Sequence, residues 1–120
     1  MKIKILLFGL LLWVSKISAQ QMKSEAEPNA IETPAFILSQ NYPNPAKEFT
    51  RIKFQLNSSG HVSLKLYDML GKPVYTLLDQ QMYVGTYSIP LETADLAEGI
   101  YFYELKKDST TQTQRMIISK

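Results

Sequence analysis

At 120 residues the chain has room for one domain with short extras. It contains no cysteine and a single histidine. That excludes a disulfide framework and a metal site built on those two ligand types, since structural zinc takes four such ligands and catalytic zinc usually three. Thirteen basic residues face eleven acidic ones for a formal charge of +2, and no block of Lys or Arg offers the footprint of a nucleic-acid binder.

Residues 1–19 have the three-part order of a secretory signal peptide. Lys2 and Lys4 form a positive start, Ile5 to Val14 an apolar run, and Ser15 to Ala19 a step down to small and polar residues. The run is about half of the roughly 20 residues a membrane helix needs, so no stable membrane span is expected. Signal peptidase is expected to cut after Ala19, although Ile17 is bulky for the third position before the cut. No cysteine follows the run to take a lipid. Lys2, Lys4 and Lys16 would leave together, so ten basic residues would remain against eleven acidic and the balance would become −1.

Residues 20–35 read as a flexible linker. They hold Glu25, Glu27, Glu32, Pro28 and Pro34 and too few large apolar groups to order themselves. From Phe36 onward the period is two. Ile52, Phe54 and Leu56 alternate with Arg51, Lys53 and Gln55; Val62, Leu64 and Leu66 alternate with Ser63, Lys65 and Tyr67; Tyr101, Tyr103 and Leu105 alternate with Phe102 and Glu104. Such alternation sets one face of each strand on a core and the other in water. Turn signals separate the runs at 57–60, 68–71, 83–85 and 107–109. About seven strands are expected, at 36–40, 49–56, 61–68, 73–79, 85–91, 99–107 and 111–119. That spacing argues for an all-β, immunoglobulin-like antiparallel sandwich over 36–120. Tyr101, just after Gly99 at a strand start, is placed to turn its hydroxyl back onto the corner, and Tyr103 takes the position that holds a cysteine in antibody domains.

Little points to catalysis. His61 follows a Ser-Ser-Gly turn and reads as a strand-edge residue, with only Ser59 or Ser63 to make a chance triad. Asp68 opens a four-residue turn in which its side chain accepts from nearby amides and Gly71 takes a positive φ. Asp95 is placed to cap a turn at 96–98. Neither a phosphate loop nor a paired-carboxylate cleft is visible, and no cofactor is expected. Tyr67, Tyr75, Tyr83, Tyr87 and Phe102 serve either the core and cross-strand pairs or an exposed platform for sugars.

One segment has no purely structural account: Asn41, Tyr42, Pro43, Asn44 and Pro45 stand directly ahead of the sandwich. They are followed in order by Tyr67-Asp68-Met69-Leu70-Gly71-Lys72, by Gly99-Ile100-Tyr101, and by a tail of Arg115-Met116-Ile117-Ile118-Ser119-Lys120. In these four motifs the chain closely resembles, over 36–120, the type A C-terminal sorting domain of the type IX (Por) secretion system. It is similar also to the immunoglobulin-like domain of flagellar hook-capping proteins. The resemblance implies a non-catalytic domain that folds in the periplasm and is read by the outer-membrane translocon. A sortase-like protease of the same system then cuts ahead of the domain, here in the 20–35 linker. Cargo ends at the cell surface or outside the cell, released or attached to lipopolysaccharide. A sheet edge and the last strand suit such recognition by strand addition. Two departures stand out. Ala46 replaces the family's usual aromatic, which removes a large apolar group from the junction, and Arg115 stands where Lys is common. Residues 20–35 leave almost no cargo. Three readings stay open: a sorting domain with little or no cargo, a stand-alone immunoglobulin-like binding or structural module at the cell surface, and a carbohydrate-binding or enzymatic domain.

Overall fold

The period-two runs become seven strands: β1 (Phe36–Leu38), β2 (Phe49–Leu56), β3 (Gly60–Asp68), β4 (Pro73–Met82), β5 (Gly85–Glu92), β6 (Gly99–Lys107) and β7 (Thr110–Ile118). They belong to a computed structural model that describes residues 33–120. Residues 1–19, expected as a signal peptide, and the expected linker through 32 lie outside the described residues. Every named strand pair is antiparallel. The sheets have the orders β1-β2-β5 and β4-β3-β6-β7, and the described residues contain no helix. The domain is therefore the expected all-β, immunoglobulin-like sandwich.

The core is the set of inward positions that alternation marks. Ile52, Phe54, Leu56, Val62, Leu64, Leu66, Tyr103, Leu105, Met116 and Ile118 are each 2% exposed or less. Burying such side chains contributes about 1.5–3 kcal/mol each, and with no disulfide this packing has to hold the fold. β4 differs from expectation by running three residues past 79, to Met82. Its register with β3 shifts between Leu64 and Lys65 and again between Leu66 and Tyr67. Those bulges leave Leu77 and Val74 without a partner on β3, and both pack partly buried against the core. An edge strand bulged twice and opened by a proline is poorly suited to pairing with another chain.

The sandwich has two ends. The proximal pole holds the turns after β2, β4 and β6, and it is where the chain joins the fold. Asn57 donates from its backbone N–H to the Ala35 carbonyl at 3.0 Å and from Nδ2 to the Pro34 carbonyl at 2.7 Å. Pro34 and Ala35, within the segment read as linker, are thus held against the sandwich. The opposite, distal pole holds the β3–β4 hairpin, the β5–β6 connection, the loop ahead of β2 and the end of β7. Two register pairs fix this arrangement: Asp68 lies opposite Tyr101, and Gly99 opposite Ile118.

Candidate functional site

The segment from Gln40 to Ala46 is built as a bridge between the sheets. β1 ends at Leu38, earlier than the expected 40, although the Ser39 N–H still donates to the Lys53 carbonyl at 3.0 Å; the Ser39 carbonyl and the Asn41 N–H face the buried Tyr103. The Tyr103 hydroxyl donates to the Ser39 carbonyl at 2.7 Å and accepts from the Asn41 N–H at 2.7 Å. Asn41 is itself buried; its Nδ2 donates to the Pro43 carbonyl at 3.1 Å and to Thr50 Oγ1 at 3.0 Å. Thr50 Oγ1 in turn donates to Pro43 at 2.9 Å. Tyr42 rejoins β2 by a two-way backbone pair with Arg51 at 2.9 and 3.0 Å, and its ring stands in water. The Tyr42-Pro43 and Asn44-Pro45 peptides are both cis.

Past the prolines the loop crosses to the other sheet. Asn44 Oδ1 accepts from the Ile117 N–H at 3.1 Å. Ala46 pairs with Ile118 in parallel: its N–H donates to the Ile117 carbonyl at 2.8 Å, and its carbonyl accepts from Ser119 at 2.9 Å. Gln40 Nε2 adds a bond to the Arg115 carbonyl at 2.7 Å. Farther up β7, Gln112 and Gln114 are in phase with Met116 and Ile118. Their amides reach the Phe36 and Leu38 carbonyls at 3.2 Å, and the Leu38 N–H donates back to Gln112 Oε1. Between Arg115 and Ser119 the outer edge of the last strand is thereby covered by the 40–46 segment.

The remaining two motifs complete the pole. Asp68 Oδ1 accepts from the Leu70 N–H at 2.9 Å and the Lys72 N–H at 2.8 Å, while Gly71 has φ 85°. Met69 and Leu70 stand exposed at the hairpin tip, Leu70 at 93%. The Tyr101 hydroxyl donates to the Ala97 carbonyl at 2.8 Å and so closes the corner ahead of β6. Phe49 and Pro43, Pro45, Lys47 and Glu48 line a shallow groove of about 380 Å³ beside the proline loop. Lys120 donates to carbonyls of the two loops that flank it. Asn41, Tyr42, Pro43, Asn44, Pro45, Asp68, Gly71, Gly99, Tyr101, Arg115 and Lys120 therefore occur within one network and its flanks, on the distal half.

A family model for the secretion system C-terminal sorting domain matches residues 40–119. The chain belongs to that family. The match begins two residues after β1 and runs through the end of β7. Members of this sorting-domain family are non-catalytic in general, serve type IX secretion, and are bound for the cell surface or the extracellular space. No curated protein matches the chain.

Several sorting-domain residues do work that sequence spacing does not show. Asn44 does not tie a local turn; it bonds β7, 73 residues away. Ala46 is fully buried and keeps both backbone bonds to β7 without an aromatic side chain. Arg115 lies opposite Phe102, exposed, and contributes its carbonyl rather than its charge to the seam. The turn near Asp95 is closed by the Leu96 N–H on the Thr93 carbonyl at 3.1 Å, without the Asp95 carboxylate. Thr50, Thr93, Gln112 and Gln114 were missed by motif reading. Three of the four had a signal, because Thr50 and the two glutamines are polar residues at inward-phased strand positions.

The other candidate chemistry disperses. His61 Nε2 pairs with Asp79 Oδ1 at 2.5 Å on the exposed face, and no hydroxyl of the described residues joins the pair. The aromatics do not form one platform. Tyr67 and Phe102 face each other on one sheet, whereas Tyr87 belongs to the other, stacked on Phe54 with centroids 5.4 Å apart. Tyr83 stands at the proximal turn.

Proposed function

We propose that the distal pole is the surface by which the type IX machinery reads this domain, and that the chain is a sorting domain carrying little or no cargo. One observation carries this reading: the four motifs, scattered over 80 residues, converge on the pole opposite the point where the chain joins the sandwich. Packing alone gives no reason for exposed Tyr42, Met69 and Leu70 to gather there. Recognition by the outer-membrane translocon uses this composite surface, and the sortase-like protease cuts in the 20–35 linker. Because residues 40–46 cover the end of β7, strand addition at that edge would have to displace them first.

Fusion of residues 20–120 to the C-terminus of a periplasmic reporter, in strains with and without the translocon, tests the proposal. The reporter is expected outside the cell only when the translocon is present. Retention in the periplasm of both strains overturns the sorting role for this chain. Cutting off Arg115 to Lys120 is a poorer test than it looks from the sequence, because it removes Met116 and Ile118 from the core.

A further inference from the structure

Lys120 follows β7, at the edge of the four-stranded sheet. Its ammonium meets three backbone carbonyls: Thr93 at 2.7 Å, Ala94 at 2.8 Å and Lys47 at 3.2 Å. An ammonium has three N–H donors and no acceptor, so these carbonyls use its whole capacity. The Lys120 backbone N–H donates to Glu98 Oε1 at 2.5 Å. All three carbonyls come from the other sheet's connections, Lys47 ahead of β2 and the pair 93–94 after β5. Those two loops are already joined to each other. The Thr93 N–H donates to the Glu48 carbonyl at 2.8 Å, and Thr93 Oγ1 donates to the Lys47 carbonyl at 3.0 Å.

We infer that Lys120, although exposed, is a positioning residue whose ammonium is a ligand for the chain's own carbonyls, locking the end of β7 and the 44–46 segment into the distal surface, and not a charge held out to a partner. Its consequence for export rests on the sorting reading above; the lock itself does not. A charge displayed for recognition keeps its donors for the partner, whereas here each N–H has a carbonyl of its own. Because the acceptors are main chain, the cage is set by the loops and not by their side chains. The lock also acts over a short lever. Ser119, next to Lys120, bonds the Ala46 carbonyl, and the Ala46 N–H bonds Ile117. Arginine is a poor substitute, since its planar fork spreads donors in one plane and cannot converge three of them on a point.

Amide hydrogen exchange on residues 20–120, followed by NMR for the parent chain, Lys120→Met and Lys120→Arg, tests the lock. The Ala46 and Thr93 amides are expected to exchange at least about tenfold faster in Lys120→Met, with Lys120→Arg between it and the parent. The Asn57 amide at the proximal pole and the Leu105 amide in the core should not change. The same variants, fused to the periplasmic reporter, should lose export in the same order. Unchanged exchange in both variants overturns the lock, and full export of Lys120→Arg alongside it assigns the lysine to charge recognition. Acceleration at Leu105 equal to that at Ala46 also overturns it, because the effect is then not local. Faster exchange with unimpaired export leaves the lock standing and overturns the distal pole as the recognition surface. Should Lys120→Met fail to fold, the contrast between Lys120→Arg and the parent decides alone.

Discussion

Tyr103 shows how much one side chain can carry in a domain without cysteine. Its ring fills the inward position of β6, and its hydroxyl satisfies a carbonyl and an amide of the motif segment on the opposite sheet. Tyr103→Phe keeps the ring and leaves Ser39 and Asn41 unpaired, a loss of about 1–3 kcal/mol that urea unfolding should register. Burial pushes the hydroxyl pKa up to about 12, partly offset by the Asn41 N–H bond, which favours the phenolate. The unfolded chain releases that proton near pH 10 (about the ordinary tyrosine value). The folded-state pKa is the higher one, so the contribution is intact below pH 10 and is lost as pH rises from there through 12. Unfolding free energy measured against pH should therefore fall across that window, and fall less steeply in Tyr103→Phe.

Elements show where local sequence is sufficient and where it is not. The strands were legible to within a few residues because an inward Leu or Ile every second position has one stable use at a sheet. The β3–β4 hairpin was legible too, since Asp68 and Gly71 answer requirements of the turn itself. Gly71→Ala meets no atom within 4 Å, so its cost is the backbone conformation alone. A side chain at φ 85° should cost about 1–2 kcal/mol, read as a lowered melting temperature with the sandwich intact. The bulges in β4 were not legible. Leu77 and Leu78 are adjacent apolar residues, and alternation assigns only one of them to the core. Nor was the parallel pairing of Ala46 with Ile118, which depends on where two distant segments end up. Lys120 was read as a member of a basic-hydrophobic tail because nothing near it in sequence announces three carbonyl partners.

At the scale of the whole molecule, the proposed reading has the sandwich separate attachment from recognition. Its long strands have eight to ten residues, which at about 3.3 Å per residue sets the poles roughly 30 Å apart. A change at one pole should leave the other unaffected. Asn44→Ala and Asn57→Ala each delete one side-chain bond to the backbone, the first to Ile117 at the distal pole and the second to Pro34 at the proximal one. Reporter export is expected to drop for Asn44→Ala and to hold for Asn57→Ala. Equal effects would argue against a recognition surface confined to the distal half.

The seam between residues 40–46 and 115–119 joins the two borders of the family match. A molecule halted or trimmed before Arg115 keeps the bonds of Asn41 and Tyr42 to Tyr103, Thr50 and Arg51 but loses the partners of Gln40, Asn44 and Ala46, and it loses two core side chains at the same time. Such a fragment carries most of the motif letters without the seam that ties them to the last strand. On the proposed reading, a receptor that contacts the seam meets it only in a folded chain that runs through Ser119. Under that reading, folding and recognisability would rest on the same set of hydrogen bonds.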